Sequence, residues 1–141
     1  MKKVSWILLV VVGVLTLIAS LGSVYVALNQ APDGLVGPNQ TLVDVPGAPA
    51  QVVRNISARR LTAASYAAAF SLLFLAVVWF PYRRGEVWSW WTILVTALLL
   101  VLLTSARVPA LGTSSGVVAA LIQFGLIVIA LLFDVKRLRK A

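Results

Sequence analysis

Residues 4–28 read VSWILLVVVGVLTLIASLGSVYVAL, a stretch without a single charged residue, and this stretch decides the class of fold. A helix needs about 20 apolar residues to cross the roughly 30 Å hydrocarbon core of a bilayer, so this one is long enough. Lys2 and Lys3 precede it, as basic residues precede the core of a secretory signal peptide. The stretch is far longer than a signal core of about 7 to 15 residues, and we therefore predict a retained membrane-spanning helix.

The positions of the other charged residues leave three further gaps of this kind. We predict that the membrane helices occupy about residues 4–28, 61–80, 87–106 and 115–133. Pro109 and Gly112 shorten the last gap, and Ser114 or Ser115 is the expected N-cap of its helix. Charged residues make up 11% of the chain, against about 25% in soluble domains. The sequence therefore predicts an all-α membrane protein, folded as an antiparallel four-transmembrane-helix bundle.

The basic residues are divided unevenly between the two sides that four spans define. Four of the twelve lie in the first and third connections: Arg54, Arg59, Arg60 and Arg107. The other eight lie at the termini and in the second connection: Lys2, Lys3, Arg83, Arg84, Lys136, Arg137, Arg139 and Lys140. Because Lys and Arg accumulate in cytoplasmic segments, both termini are predicted to be cytoplasmic. This topology and the attraction of bases to lipid headgroups account for the net charge of +8, so we predict anionic membrane lipids as partners and no nucleic acid.

All tryptophans fall at the predicted cytoplasmic boundary of the membrane: Trp6, Trp79, Trp88, Trp90 and Trp91. Indole rings prefer the level of the headgroups, so the simpler interpretation is an anchor that fixes depth and tilt. A ligand or partner surface built on the tryptophans is the alternative. The residues that we predict to contact lipid headgroups or a partner are Arg59, Arg60, Arg83, Arg84, Trp88, Trp90 and Trp91.

Small residues at helical spacing predict how the helices pack, because helices in lipid associate through close backbone approach and polar contacts. The first span carries Gly13, Thr16 and Ser20 on one face, and the second opens with small residues, namely Ala63, Ala64, Ala67, Ala68 and Ser71. Gln123 lies near the middle of the fourth span, where an amide without a partner costs several kcal/mol.

Two interpretations of Gln123 follow. The structural one is a hydrogen bond to a Ser or Thr of the first or third helix. The functional one places Gln123 in the polar lining of a small intramembrane cavity for a hydrophobic ligand. The residues that share either role with it are Thr16, Ser20, Thr92 and Thr96.

The first and second connections differ in length and composition. Residues 29–56 are rich in Pro and Gly, and two interpretations remain open, an ordered lid in which residues 41–45 lie extended and an unstructured linker. Asn55 or Ser57 is the expected cap of a second helix that already includes Arg59 and Arg60. In the second connection, Pro81 is expected to end one helix and Gly85 to permit the reversal.

Two segments resemble parts of small bacterial four-helix membrane proteins loosely grouped as DoxX-like. These segments are RNISARRL at residues 54–61 and YRRGEVWSWW at residues 82–91, and they lie in a region of little more than a quarter of the chain. The resemblance implies an inner-membrane protein with a non-catalytic role beside a respiratory complex. It transfers no active-site residue, because the shared motifs are topological.

Residue types that are missing exclude several functions. With no His and no Cys, the chain cannot form a haem axial pair, a thiolate metal site or a disulfide-generating centre, and we predict no metal, no cofactor and no catalytic residue. A proton-coupled exporter needs a carboxylate within a span, and a voltage sensor needs arginines there. The predicted spans contain neither, so both functions are excluded. Two hypotheses remain, an accessory subunit that docks with a larger membrane complex and an autonomous bundle that binds a quinone or lipid near Gln123.

Overall fold

The computed structural model describes residues 2–29, 47, 49–111 and 116–140, and every element in these ranges is helical. The helices are α1 (Lys2–Asn29), α2 (Ala50–Val77), α3 (Val87–Ser105), α4 (Arg107–Leu111) and α5 (Val117–Leu132). A π-helical turn, Val78–Tyr82, continues α2, and a 3-10 helix, Val135–Lys140, follows α5. The predicted all-α class is therefore confirmed.

Three helical stretches within the described residues are long and apolar enough to cross a membrane: Val4–Asn29, Ala50–Tyr82 and Val87–Ala110. The stretch that contains α2 has 33 residues and is about 50 Å long at 1.5 Å per residue, which exceeds a hydrocarbon core of about 30 Å. Helix α5 is apolar but has only 16 residues, about 24 Å. The fourth crossing stays a prediction.

Helix α2 begins well before the predicted span at residue 61. Its first turn follows Pro49, whose carbonyl accepts hydrogen bonds from the N–H groups of Val52 at 2.8 Å and Val53 at 3.2 Å. Asn55 and Ser57 therefore lie inside the helix, and the prediction that one of them caps it is wrong. The arginines of this segment interrupt the apolar run without interrupting the helix, because Arg is a good helix former.

Other predictions concern the first connection and the segment before α5. The proposed lid at residues 41–45 and the caps Ser114 and Ser115 lie outside the described residues. Residues 50–56, predicted as the end of a loop, are helical. Gly116 precedes α5 with φ of 79°, a left-handed conformation that glycine adopts readily.

The chain divides into two compact units. The first unit comprises Met1–Val14 and Leu73–Ala141. Its core is a cluster of buried apolar side chains from the start of α1, the π-helical turn, α3 and α5: Leu9, Val12, Val78, Tyr82, Trp90, Ile93, Ala97, Ile127, Ala130 and Leu131. Helices α3 and α5 pack along each other in this unit.

Two contacts in the first unit fix the direction in which its α1 and α2 segments pack. Ser5 meets Tyr82, and Gly13 faces Phe74 and Leu75. Residue numbers rise along one segment as they fall along the other, so the two segments run in opposite directions. A Cβ atom on Gly13 would lie 2.6 Å from Leu75 Cδ2, so glycine permits this close approach. The antiparallel arrangement of a four-helix bundle stays a prediction.

The second unit is Leu15–Leu72, which contains the end of α1 and most of α2. Its buried side chains are small or medium in size, namely Ser20, Val53, Ala64 and Ser71. Arg60 Nε donates a hydrogen bond to Ser23 Oγ at 3.2 Å and so links α2 to α1 within this unit. Small side chains on the packed face of α2 agree with the way helices associate in lipid.

Candidate functional site

The end of α2 adopts a wider helical turn where the sequence places a proline. Pro81 has no N–H, and its ring would meet the carbonyl four residues earlier in a regular α-helix. The backbone widens to the π-helical turn Val78–Tyr82, in which Arg83 N–H donates to the Val78 carbonyl. The helix therefore continues through Pro81, contrary to the prediction that Pro81 ends it. Gly85 then reverses the chain with φ of 95°.

This turn carries Tyr82 into the core of the first unit. Tyr82 is fully buried, and its hydroxyl shares a hydrogen bond with the equally buried Ser5 hydroxyl at 2.5 Å. On the facing side of the same core, Trp90 Nε1 donates to the Leu131 carbonyl at 3.1 Å. These two bonds join α1 to the π-turn and α3 to α5. Because both are buried, they stabilise this end of the unit and leave no free polar group on Tyr82 or Trp90 for a ligand.

Trp6, Trp79 and Arg83 form a second cluster at this end, which we call the cation–indole cluster. The ring centroids of Trp6 and Trp79 are 5.2 Å apart with the ring planes inclined by 57°. The guanidinium carbon of Arg83 lies 5.2 Å from the Trp6 centroid and 5.6 Å from the Trp79 centroid. Both separations are within the range of a cation–π interaction. The guanidinium is thus held against two rings from two different helices.

The charges around the cation–indole cluster are mainly basic. Arg83 and Arg84 are exposed on the same turn. The one acidic residue of the turn, Glu86, accepts a hydrogen bond from Trp88 Nε1 at 2.5 Å. This arrangement favours an anionic neighbour.

The residues predicted to line an intramembrane cavity fall in both units. Gln123, Thr92 and Thr96 belong to the first unit, whereas Thr16 and Ser20 belong to the second. Three of the hydroxyls donate hydrogen bonds to backbone carbonyls of their own helices. Thr92 donates to the Trp88 carbonyl at 2.9 Å, Thr96 to the Thr92 carbonyl at 2.6 Å, and Ser20 to the Thr16 carbonyl at 2.7 Å. Gln123 is half-buried on α5 and has an interaction partner.

The residues predicted to meet headgroups or a partner divide into surface and core. Trp88, Trp91, Arg59, Arg83 and Arg84 are exposed. Arg60 is half-buried beside Ser23. Trp90 differs from the expectation, because it is only 7% exposed and packs in the core of the first unit.

The sequence prediction missed the partners that Arg83 contacts. The sequence places Trp6 and Trp79 at one membrane boundary but predicts no contact of either ring with Arg83. Trp79 and Arg83 are four residues apart, a spacing that brings side chains together on a helix and was available as a signal. The contact with Trp6 depends on the packing of α1 against the π-turn and has no local sequence signal.

The outward face of α2 in the second unit forms a further candidate surface. Ala58, Thr62, Ser65 and Ala69 are all exposed and follow one another at intervals of four, three and four residues. We call these four residues the α2 stripe. Thr62 and Ser65 donate their hydroxyls to the carbonyls of Ala58 at 3.0 Å and Leu61 at 2.9 Å, so neither needs water.

Comparison with family models, with curated proteins and with solved structures finds no match to this chain. The resemblance to DoxX-like proteins therefore stays a prediction. Among the described residues there is no group of three or more acidic, His or Cys side chains that would hold a metal ion. By length and composition, the helices fit an integral membrane protein.

Proposed function

We propose that this chain is a non-catalytic accessory subunit of a larger complex in the bacterial inner membrane. It crosses the membrane four times, keeps both termini in the cytoplasm and docks through the α2 stripe onto a helix of the complex. A respiratory or transport complex is the class of partner that we favour. The excess of basic residues at the termini and in the second connection supports this orientation.

The single observation that carries the docking role is the composition of the α2 stripe. Surfaces that face lipid are built from large apolar side chains, whereas contacts between membrane helices are enriched in Gly, Ala, Ser and Thr. The packed face of α2 already uses Ala64 and Ser71 in this way, and both are buried. The α2 stripe presents the same kind of residues on a second, exposed face. A second helix of matching shape can approach it closely.

The alternative of a ligand cavity near Gln123 has less support. Its candidate hydroxyls on Thr92, Thr96 and Ser20 donate to backbone carbonyls of their own helices. A hydroxyl bonded in this way still accepts a hydrogen bond but has no proton left to offer a quinone carbonyl. Gln123 has an interaction partner as well. The interhelical interpretation of Gln123 is therefore the one that we retain.

Affinity purification in a mild detergent tests the docking role. The tagged wild-type chain and a Ser65→Leu/Ala69→Leu variant are expressed at equal levels, and the recovered proteins are quantified. We expect stoichiometric recovery of larger membrane subunits with the wild type and their loss with the variant. A wild-type chain recovered alone, with extractable quinone or lipid, would support the autonomous binder instead.

Cysteine labelling tests the topology in a separate experiment. The chain contains no cysteine, so each introduced one is unique. We expect Arg84→Cys to react only with a reagent that enters the cytoplasm and Gln51→Cys to react with an impermeant reagent added outside. Labelling of both residues from the same side would contradict the proposed membrane crossing of α2.

A further inference from the structure

The Arg83 guanidinium is oriented by aromatic rings, and its hydrogen-bond donors remain unused. Its guanidinium carbon lies 5.2 Å from the Trp6 centroid and 5.6 Å from the Trp79 centroid. Within the described part of the chain it has no hydrogen bond and no ion pair, and its side chain is exposed. A guanidinium carries five N–H donors along its edge, and stacking against rings leaves that edge available.

A second unused donor lies in the same cluster. Trp6 Nε1 is buried, and no acceptor for its N–H is present among the described residues. Because this N–H is buried, the indole offers its ring and not its donor to a molecule outside the chain. The indole that bears this N–H is the ring nearest to the Arg83 guanidinium carbon, with a separation of 5.2 Å.

The acidic group of the turn does not neutralise Arg83. The carboxylate of Glu86 is bonded to Trp88, and the adjacent exposed side chain is another base, Arg84. The cluster therefore combines an oriented cation, a neighbouring positive charge and two indoles. Indoles settle at the level where lipid headgroups meet hydrocarbon. An anion at that level of a membrane is the phosphate of a phospholipid.

We infer that Arg83, held by Trp6 and Trp79, binds the phosphate of an anionic phospholipid. The guanidinium edge donates two parallel hydrogen bonds to the non-bridging phosphate oxygens, and the indoles contact the glycerol backbone. An anionic headgroup is preferred because a choline or ethanolamine cation would be repelled by Arg83 and Arg84. This inference rests on the membrane placement in the proposed function but not on the docking role.

Native mass spectrometry of the purified protein tests the inference. The protein in maltoside detergent is titrated with dioleoylphosphatidylglycerol, dioleoylphosphatidylcholine or inorganic phosphate, and bound molecules are counted. We expect phosphatidylglycerol to bind in preference to phosphatidylcholine. Inorganic phosphate is expected not to displace the lipid, because it cannot use the indoles. Displacement by inorganic phosphate at equal concentration would overturn the lipid assignment in favour of a simple anion site.

Matched variants separate this site from general charge attraction. Arg83→Gln removes the charge and the paired donors, and we expect phosphatidylglycerol binding to weaken about tenfold or more. Arg84→Gln removes the same charge from a residue that contacts neither ring, and we expect a change of no more than about twofold. Equal losses in the two variants would overturn the inference.

A conservative variant guards against loss of folding. Arg83→Lys keeps the charge but lacks the paired donors, so it is expected to bind with intermediate affinity at an unchanged thermal midpoint. Wild-type affinity in Arg83→Lys would show that a point charge suffices and would contradict the paired geometry. Because this assay uses the isolated protein, a failure of the docking role leaves its result unaffected, and a failure here leaves the co-purification result unaffected.

Discussion

The α2 stripe and the exposed Val and Leu residues of α3 differ in side-chain size, although both helices are long and apolar enough to cross a membrane and α2 also exposes large residues such as Tyr66 and Leu72. On α3 the exposed residues are large, with Val95, Leu99 and Leu102 each more than half exposed. On α2 the α2 stripe consists of Ala, Thr and Ser. Both sets of residues are exposed, so exposure alone does not distinguish lipid from protein as the neighbour. The size of the side chains distinguishes a protein neighbour from lipid, because small side chains allow the backbone of a second helix to approach closely.

The largest effect is expected on the α2 stripe. In Ser65→Leu/Ala69→Leu, two branched side chains keep a partner helix at a distance, and we expect recovery of the larger subunits to fall about tenfold, equivalent to about 1.4 kcal/mol. Quantitative mass spectrometry of the purified complex measures this recovery. Ala119→Leu, at an exposed alanine on α5, is the matched control. An equal fall with Ala119→Leu would remove the distinction between the faces.

The opposite change on α3 sharpens the same comparison. In Leu99→Ala/Leu102→Ala, large side chains on the leucine face become small, and we expect recovery of the partner to change by less than about twofold, because a lipid-facing side chain makes no specific contact. The same purification measures it. A loss comparable to that of the α2 variant would show that α3 also meets the partner.

Two glycines of α1 test whether small residues mark close approach in this protein. Gly13→Ala places a Cβ atom 2.6 Å from Leu75 Cδ2, whereas a Cβ atom on Gly22 would meet nothing within 4 Å. Because Leu75 can shift, we expect Gly13→Ala to lower the free energy of unfolding by about 1 kcal/mol. Gly22→Ala is expected to leave it unchanged or to raise it by up to about 1 kcal/mol through helix propensity.

Unfolding in detergent, followed by circular dichroism, compares the two glycine variants. Greater destabilisation by Gly22→Ala than by Gly13→Ala would contradict the packing of α1 against the end of α2. It would also weaken the argument that the α2 stripe binds a helix of another subunit.

The buried hydroxyl pair of Tyr82 and Ser5 is expected to contribute modestly to stability. Tyr82→Phe removes the bond to Ser5, and we expect the free energy of unfolding to fall by about 1 kcal/mol, since the Ser5 hydroxyl stays buried. A double-mutant cycle with Ser5→Ala is expected to give a coupling of about 0.6 kcal/mol. Tyr66→Phe is the control, because Tyr66 is 75% exposed. Zero coupling would mean that the pair does not stabilise this end.

The distribution of charges predicted three helices closely and one poorly. The spans at residues 4–28, 87–106 and 115–133 correspond to α1, α3 and α5 within about two residues at each end. The second helix begins at Ala50, five residues before Asn55, the earlier of its two predicted caps, since its arginines end the apolar run but not the helix. The positions of charged residues show which part of a helix can lie in the hydrocarbon core. They do not measure where its hydrogen bonds begin.

The candidate site was less accessible to sequence analysis than the fold. Trp88, Trp90 and Trp91 lie within four residues, yet only Trp90 is buried, because successive residues of a helix point about 100° apart and packing decides which one faces inward. The exposed α2 stripe was not distinguished from the alanines of the packed face, since both faces have similar composition. The cation–indole cluster could not be predicted from the sequence, because it depends on the packing of Trp6 against the π-helical turn.

The length of α2 has a mechanical consequence. The stretch Ala50–Tyr82 exceeds the hydrocarbon core by about 20 Å, and this excess is helix, not loop. Arg54 and Arg59 belong to the first turns of this helix, and we call the part of α2 before residue 61 the stalk. Residues inserted into the stalk would change both its length and the direction in which its first residues point. Two inserted residues would rotate these residues by about 200° around the helix axis, whereas seven would return them almost to their original direction. An outer contact that tolerates the longer insertion but not the shorter one would therefore depend on direction more than on distance.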